Sequence, residues 1–153
     1  MEILRPARPE DWKILNDLCR QVHTLHVNWR PDIFQNVDVP YPTQYLLEDI
    51  KSDAIYCAEV DDRVVGMVRI YTWSANGAGS VPSKVMDIDD ITIDEHYRHQ
   101  GIGQRIMADL KEIAAQRGCN DLQLSVYPQN DGAVAFYQKC GFAIQSISMQ
   151  RKV

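Results

Sequence analysis

The chain has 153 residues, of which 45% are apolar and 24% charged, and its formal net charge is −5. This length and composition suit one globular domain over residues 1–153, and the acidic balance argues against a nucleic-acid partner, because such binding draws on clustered Lys and Arg. No apolar run approaches the roughly 20 residues of a membrane span, and the amino-terminal segment lacks a signal-peptide pattern, so we expect a cytoplasmic protein that does not bind membranes.

Hydrophobic spacing, caps and turn residues predict the elements of the first half of the chain. In chain order these are a strand over 2–7, a helix that starts at 9–11 and runs to about residue 28, a helix over 43–51, and strands over 54–60 and 64–73 joined by a hairpin turn at 61–62.

The second half of the chain alternates strands and helices. A Gly- and Ser-rich connection is followed by the elements predicted in this order: a strand over 84–93, a loop over 94–100, a helix over 101–117 capped by Gly118, a strand over 122–126, a helix over 130–140 and a final strand over 142–149. The order indicates an α/β (α+β) fold, with a mixed, mainly antiparallel twisted sheet of six to seven strands flanked by about four helices.

The loop Arg98-His99-Gln100-Gly101-Ile102-Gly103 opens the predicted helix 101–117. The first backbone N–H groups of a helix have no internal partner and lie at the positive end of its dipole, which favours a phosphate there. The two glycines let a pyrophosphate approach these amides, and Arg98 adds a positive charge. Charge-assisted hydrogen bonds of about 1.5–3 kcal/mol each outweigh the screened repulsion from the net charge. The loop therefore predicts an anion site; the alternative is a simple turn shaped by the glycines.

Two other glycine-rich nucleotide motifs are excluded by residue type. A dinucleotide fingerprint needs a small residue at position 106, where this chain has Ile106. A P-loop needs Gly-Lys followed by Ser or Thr, which is absent from the sequence.

A second motif lies downstream, where Asn130 suits a helix N-cap and the segment to Phe142 reads Asn-x-x-Ala-x-x-Phe-Tyr-x-x-x-Gly-Phe. Together with Arg98-x-x-Gly101-x-Gly103 after a strand, it resembles the GNAT N-acetyltransferase superfamily, whose corresponding loop binds acetyl-CoA. The resemblance implies acetyl-CoA as the co-substrate, no metal, and acetyl transfer to a primary amine by direct attack in a ternary complex.

The same resemblance implies which residues contact acetyl-CoA. They are Ile91, Thr92, Ile93, Arg98, His99, Gln100, Gly101, Ile102, Gly103, Gln104, Asn130, Ala133 and Phe136. Backbone groups of Ile91 and Ile93 are expected to pair with the pantetheine amides. For Ala133 and Phe136, ordinary core packing is the alternative.

Tyr137 lies on the same face of the predicted helix as Ala133 and Phe136. Acetyl transfer from a thioester to an amine expels a thiolate, and a phenol with an ordinary pKa near 10 is protonated at pH 7 and can donate its proton to that sulfur. The family resemblance assigns this catalytic role to Tyr137. The alternative is a structural tyrosine hydrogen-bonded to a backbone group.

The predicted strand 84–93 carries Asp87, Asp89 and Asp90 among apolar residues. An amine is mostly protonated at pH 7, and a nearby carboxylate attracts the ammonium ion and relays its proton. We expect Asp89 to be this catalytic base, with Asp90 as the alternative. A third alternative is that these acids only pair with Lys84, Arg69 or solvent.

Strand alternation bears on the choice between the two aspartates. Strict alternation puts Asp87 and Asp89 on the face of Ile91 and Ile93, with Asp90 opposite. A bulge, which family members often have in this strand, would shift that register.

We expect the acceptor to be chosen by the segment 23–32 and the loop that follows it. This segment differs among families of this type, so the resemblance assigns no acceptor. His23 and His26 are one helical turn apart and Trp29 extends the same stripe, although packing alone would also explain the two histidines. The candidate acceptor-binding residues are His23, His26, Trp29, Tyr71 and Trp73, with Tyr41 and Tyr45 as further members of an aromatic wall for a cationic amine.

The acceptor is either a small polyamine-like or amino-sugar amine, or a protein or peptide amino group, and overall acidity favours a cationic one. A non-catalytic acetyl-CoA-binding sensor or interaction module is the alternative to an enzyme, and the intact Tyr137 argues against it. The sequence leaves open whether the protein forms a homodimer, which an apolar final strand over 142–149 would support.

Overall fold

The computed structural model describes residues 2–153, which form five strands in one sheet and four α-helices. In chain order the elements are β1 (Leu4–Pro6), α1 (Trp12–Trp29), α2 (Thr43–Lys51), β2 (Ile55–Val60), β3 (Arg63–Ala75), β4 (Ser83–Ile93), α3 (Ile102–Gln116), β5 (Asp121–Leu124) and α4 (Asp131–Lys139). Short 3₁₀ turns lie at Pro9–Asp11 and Glu95–Tyr97. No helix among the described residues is long and apolar enough to cross a membrane.

The sheet is mixed, with its strands side by side in the order β1-β2-β3-β4-β5. The first three pairings are antiparallel, and β4 pairs with β5 in parallel. A parallel pair needs a crossover connection, which α3 supplies. This arrangement confirms the predicted α/β class with a mainly antiparallel sheet.

Helices cover both faces of the sheet. On one face α3 packs through Ile106 and Leu110 against Val68 and Met86 of the central strands, and all four side chains are fully buried. On the other face α1 and α2 cover β2 and β3 through the buried residues Leu15, Leu18, Leu46, Ile55, Cys57 and Met67. The apolar residues at helical spacing in α1 and α3 therefore face the sheet.

The predicted final strand over 142–149 is wrong, and the sheet has five strands rather than six to seven. Residues 143–153 have no regular secondary structure, and Ile144, Ile147 and Met149 are 72%, 79% and 92% exposed. The alternation breaks here, because Ile144 and Ile147 are three residues apart and so cannot share one face of a strand. No single apolar face is left to bury, and β5 itself ends at Leu124 rather than at residue 126.

A bulge in β4 changes the faces predicted for the aspartates. Arg69 pairs with Asp90 while the next residue, Ile70, pairs with Ile88, so Asp89 is an extra residue in β4. The bulge brings Asp90 to the same face as Asp87, towards α1 and α2, and leaves Ile91 on the face covered by α3. Strict alternation, which put Asp90 opposite Asp87, was therefore wrong.

Gly66 marks a close approach between β3 and β4. A Cβ atom at this position would lie 2.7 Å from the backbone oxygen of Thr92. Because both groups belong to the paired backbone of the sheet, neither can move without disturbing the strand pairing.

We expect Gly66→Ala to lower the free energy of unfolding by about 1–3 kcal/mol, the usual cost of overpacking a tight site. Urea denaturation followed by circular dichroism measures this. Gly132→Ala is the matched control, since a Cβ there meets nothing within 4 Å, and it should leave stability unchanged or slightly raised. If Gly66→Ala and Gly132→Ala were equally stable, the close approach of position 66 to the Thr92 backbone oxygen would be contradicted.

Candidate active site

β4 and the edge strand β5 part about halfway along β4. Their parallel pairing ends at Ile88 and Leu124, whereas β4 continues to Ile93. Beyond Ile88, within the described residues, β4 is therefore paired with β3 alone. Apart from the Ile93 carbonyl oxygen, which accepts a hydrogen bond from Arg98 Nε, its backbone N–H and C=O groups on the other edge have no strand partner among the described residues and can bind an extended ligand.

The loop after β4 is held to α1. The Asp94 side chain caps the 3₁₀ turn by accepting a hydrogen bond from the His96 backbone N–H at 2.9 Å. The Gln21 side chain donates to Asp94 at 3.0 Å and accepts from the Glu95 backbone N–H at 3.1 Å. Gln21 carries no motif signal in the sequence, which is why the sequence analysis missed it.

The helix start that follows leaves its first backbone amides open. Arg98 is fixed by a hydrogen bond from its Nε to the Ile93 carbonyl oxygen at 2.9 Å. His99 and Gly101 both take left-handed backbone conformations, with φ of +62° and +79°. Gly101 is the N-cap of α3 and offers no side-chain cap. The N–H groups of the first turn therefore have no intrahelical or capping partner.

Gly103 brings α3 and α4 together. A Cβ at this position would lie 2.9 Å from Cζ of Phe136 and 3.6 Å from Cδ1 of Ile93. The sequence analysis linked this glycine to the approach of a pyrophosphate, and the structure adds a packing role. The two sequence motifs thus meet in space through this contact.

α4 begins at Asn130, whose side chain accepts a hydrogen bond from the Ala133 backbone N–H at 3.2 Å, as expected of an N-cap. Tyr137 packs between Phe136 and Phe142, with ring centroids 5.4 and 5.8 Å away. Burial, and then the negative charge of Asp90, raise the pKa of the Tyr137 phenol to about 12. No hydrogen bond from the described residues contributes to this rise.

The two candidate bases differ in their surroundings. The Asp89 side chain is 46% exposed and accepts a hydrogen bond from Arg69 Nε at 2.9 Å. The Asp90 side chain is only 14% exposed and lies 3.7 Å from Arg69 Nη2. Burial raises the pKa of Asp90, while Arg69 opposes that rise. The negative charge of Asp90 adds to the rise in the pKa of Tyr137 and opposes the lowering of the pKa of His26 by burial.

Several of the predicted acceptor-binding residues gather at the end of α1. The His26 ring stacks on the ring of Phe34, with their centroids 5.2 Å apart. The centroid of His26 lies 5.9 Å from that of Trp29 and 6.0 Å from that of Tyr127. His23 is hydrogen-bonded to the Gln35 carbonyl oxygen at 2.8 Å. Burial lowers the pKa of His26. Phe34 and Tyr127 belong to this aromatic cluster and were missed, because neither lies in a recognisable motif.

The other predicted acceptor residues lie on β3. The Tyr71 hydroxyl donates to Asp49 at 3.3 Å, and the Tyr41 hydroxyl donates to the same carboxylate at 2.6 Å. Trp73 lies further along β3, where it lines a cavity of about 350 Å³ with Val85 and Asp121. The structure therefore places Tyr71 next to Asp49, whereas Trp73 lies outside the aromatic cluster around His26.

No group of three or more His, Cys, Asp or Glu side chains in the described part of the chain is arranged to hold a metal ion. All four cysteines are free. Burial raises the pKa of Cys19 to about 11 and that of Cys57 to about 12, so these thiols are held protonated within the core.

The chain matches the model of the Acetyltransferase (GNAT) family over residues 20–142, and it belongs to that family. This confirms the family indicated by the two sequence motifs.

Curated relatives match over part of their length. An uncharacterized N-acetyltransferase of Methanocaldococcus jannaschii is 32% identical over 91 residues, which are 59% of this chain and 39% of that protein. The glucosamine 6-phosphate N-acetyltransferase of Trypanosoma brucei brucei is 27% identical over 96 residues, which are 63% of this chain and 62% of that protein. The chain thus spans less than two thirds of the length of these relatives.

Solved structures share the fold over nearly the whole chain. A mutant of the BH1408 protein from Bacillus halodurans superposes with a TM-score of 0.93 at 24% identity, covering 99% of each chain. An aminoglycoside N-acetyltransferase in complex with CoA gives a TM-score of 0.71 at 16% identity, covering 98% of each chain. These likenesses support the fold described above.

The contact between Gly103 and Phe136 leads to a stability test. Gly103→Ala should destabilise the protein by about 1–3 kcal/mol through overpacking. Phe136→Leu removes the ring atoms in the way, so the double variant should be less destabilised than the sum of the two single variants. A double-mutant cycle from urea denaturation measures this coupling, and strictly additive effects would contradict the close contact.

Proposed function

We propose that the protein is an acetyl-CoA-dependent N-acetyltransferase that moves the acetyl group to a primary amine by direct attack in a ternary complex. The observation that carries this proposal is the parting of β4 from β5 beyond Ile88, with the largely buried Asp90 just past it on β4 and the negative charge of Asp90 acting on the Tyr137 phenol. Membership of the GNAT family supports it. The arrangement suits a reaction that needs one group to accept a proton and another to donate one.

Two features of the chain fit the acetyl-CoA co-substrate. The open amides at the start of α3, with Arg98 beside them, suit a pyrophosphate. The free edge of β4 suits the amides of the pantetheine arm, which would pair with backbone groups of Ile91 and Ile93 as a strand does. The proposed contacts otherwise remain those given by the resemblance, from Thr92 to Phe136.

The reaction uses the side chains of Asp90 and Tyr137 one after the other. Asp90 accepts a proton from the acceptor ammonium group, which frees the nitrogen lone pair. The nitrogen attacks the thioester carbonyl carbon, a C–N bond forms and the C–S bond breaks. The Tyr137 hydroxyl donates its proton to the departing sulfur, and the phenolate so formed takes the second proton that the nitrogen must lose to become an amide, which restores Tyr137. Free thiol and an amide are released, and the proton held by Asp90 passes to solvent. The raised pKa of Tyr137 keeps the phenol protonated at neutral pH until this step.

The acceptor is proposed to be a small cationic amine. Asp49, Asp87, Asp89 and Asp90 lie on one face of the sheet beside a single arginine, Arg69, so this face is negative. Such a surface attracts a positively charged amine. Trypanosoma brucei glucosamine 6-phosphate N-acetyltransferase, a relative, bears the name of a small amine substrate. His23, His26, Trp29, Tyr71 and Trp73 remain the proposed acceptor contacts.

The deciding experiment mixes the protein with acetyl-CoA and a panel of amines, and it measures release of free thiol. The panel includes polyamines, amino sugars and a lysine-containing peptide. We expect thiol release with at least one small cationic amine. Binding of acetyl-CoA by calorimetry without thiol release from any amine would point to the non-catalytic sensor, and release with the peptide alone would overturn the small-amine class.

Tyr137→Phe tests the proposed acid. The variant keeps the aromatic packing and loses the proton donor, so kcat should fall by about 10²–10⁴-fold. The dissociation constant for acetyl-CoA, measured by calorimetry, should stay within a few-fold of wild type. Full kcat in this variant would rule out the role given to Tyr137.

The choice between Asp90 and Asp89 is tested by two matched variants. Asp90→Asn should abolish the acidic limb of the pH profile of kcat/KM and lower its plateau, whereas Asp89→Asn should keep the limb. Because burial raises the pKa of Asp90, wild-type kcat/KM should fall with decreasing pH through a midpoint above that of an ordinary aspartate, since the protonated carboxyl cannot accept a proton. If Asp89→Asn abolished the acidic limb and Asp90→Asn kept it, Asp89 would be the base.

A further inference from the structure

Arg69 lies at the bulge of β4 with its side chain only 12% exposed. Its guanidinium donates to Asp89 at 2.9 Å and lies 3.7 Å from Asp90 and 3.9 Å from Asp49. The ring of Tyr41 covers the guanidinium at 4.3 Å. Four groups, from β4, α2 and the segment before α2, therefore converge on one arginine.

The arginine is more firmly anchored to its other neighbours than to Asp90. Its Nε is hydrogen-bonded to Asp89, and the Tyr41 ring that covers it is fixed in turn by a 2.6 Å hydrogen bond to Asp49. Nη1 is buried without a hydrogen-bond partner among the described residues. A side chain held in this way keeps its charge at a fixed place next to Asp90, since little freedom is left to the guanidinium.

Asp90 needs such a charge to work as a base. Removing a carboxylate from water favours its protonated form, and the adjacent Asp89 adds to this by like-charge repulsion. A protonated carboxyl cannot accept a proton from an ammonium group. The Asp90 carboxylate can therefore act as a base at this position only if a cation lies nearby.

The groups facing Asp90 leave Arg69 as that cation. They come from each element packed around it: Arg69 on β3, Asp89 and Thr92 on β4, His26 and Cys19 on α1, and Tyr137 on α4. Thr92 donates a hydrogen bond to Asp90 at 3.4 Å. Burial lowers the pKa of His26, which favours its neutral form, and raises the pKa of Cys19 and of Tyr137. Among these described residues, only Arg69 carries a permanent positive charge.

We propose that Arg69 is a positioning residue for the base: held by Tyr41, Asp49 and Asp89, its guanidinium keeps the Asp90 carboxylate ionised and fixed towards the acceptor amine. This inference rests on the proposed function in giving Asp90 its role. The electrostatic link between Arg69 and Asp90 is a property of the folded protein alone.

The test compares Arg69→Gln and Arg69→Lys with wild type. In Arg69→Gln the midpoint of the acidic limb of kcat/KM should move up by about one pH unit or more, because an opposite charge at this range shifts a carboxyl by that much. Arg69→Lys keeps the charge and loses the planar fork, so its midpoint should move up by less while kcat falls. If Arg69→Gln does not fold, the shift in Arg69→Lys decides.

A second readout does not depend on turnover. The Asp90 carboxyl resonance is assigned in carbon-13 spectra of aspartate-labelled protein by its loss in Asp90→Asn, and is then titrated in wild type and in each Arg69 variant. Arg5→Gln is the matched control, since Arg5 is also partly buried between two carboxylates, Asp11 and Glu59, away from this site. It should cost stability without moving the Asp90 titration.

The outcomes separate the two proposals. If no amine is acetylated and the Asp90 titration still moves in the Arg69 variants, the proposed function fails and the link between Arg69 and Asp90 stands. If acetylation is found and depends on Asp90, but neither the pH profile nor the titration moves, Arg69 is not the positioning residue. An equal shift in Arg5→Gln would also overturn the proposal, because the effect would then come from general loosening of the fold.

Discussion

The bulge at Asp89 is the constraint on which the rest of the candidate site depends. One extra residue in β4 brings Asp90 onto the face of Arg69 and leaves Ile91 on the opposite face. At the same place β4 loses its pairing with β5, whose last pair is Ile88 with Leu124, and the strand edge next to the helix start of α3 is exposed. If β4 kept strict alternation from Asp87 onwards, Asp90 would lie on the face covered by α3 instead.

Each face of the sheet contributes different groups to the candidate site. α3 and α4 meet on one side through Gly103 and Phe136 and hold Tyr137 and the open amides. α1 and α2 lie on the other side and bring the aromatic cluster and the contacts around Arg69. The parting of β4 from β5 is where groups from both faces meet, which is why a reaction between two substrates suits this position.

Local patterns predicted most of the fold and half of the candidate site. Helical spacing, caps and the two motifs gave the helices, the loop at Gly101 and the N-cap at Asn130, since each depends on neighbours in sequence. The register of Asp90 and the contacts of Arg69, Phe34 and Tyr127 depend on residues far apart in the chain, which no local pattern contains. The strand predicted over 142–149 is absent from the structure, and its broken alternation was the signal against it.

The two hydrogen bonds of Gln21 give the site one further mechanical property. They join α1, which carries the aromatic cluster, to the turn that precedes the open helix start. If a ligand bound at this helix start and immobilised the turn, the same two hydrogen bonds would restrain α1 as well, and the order gained on one side of the sheet would be passed to the other without any movement of the sheet between them.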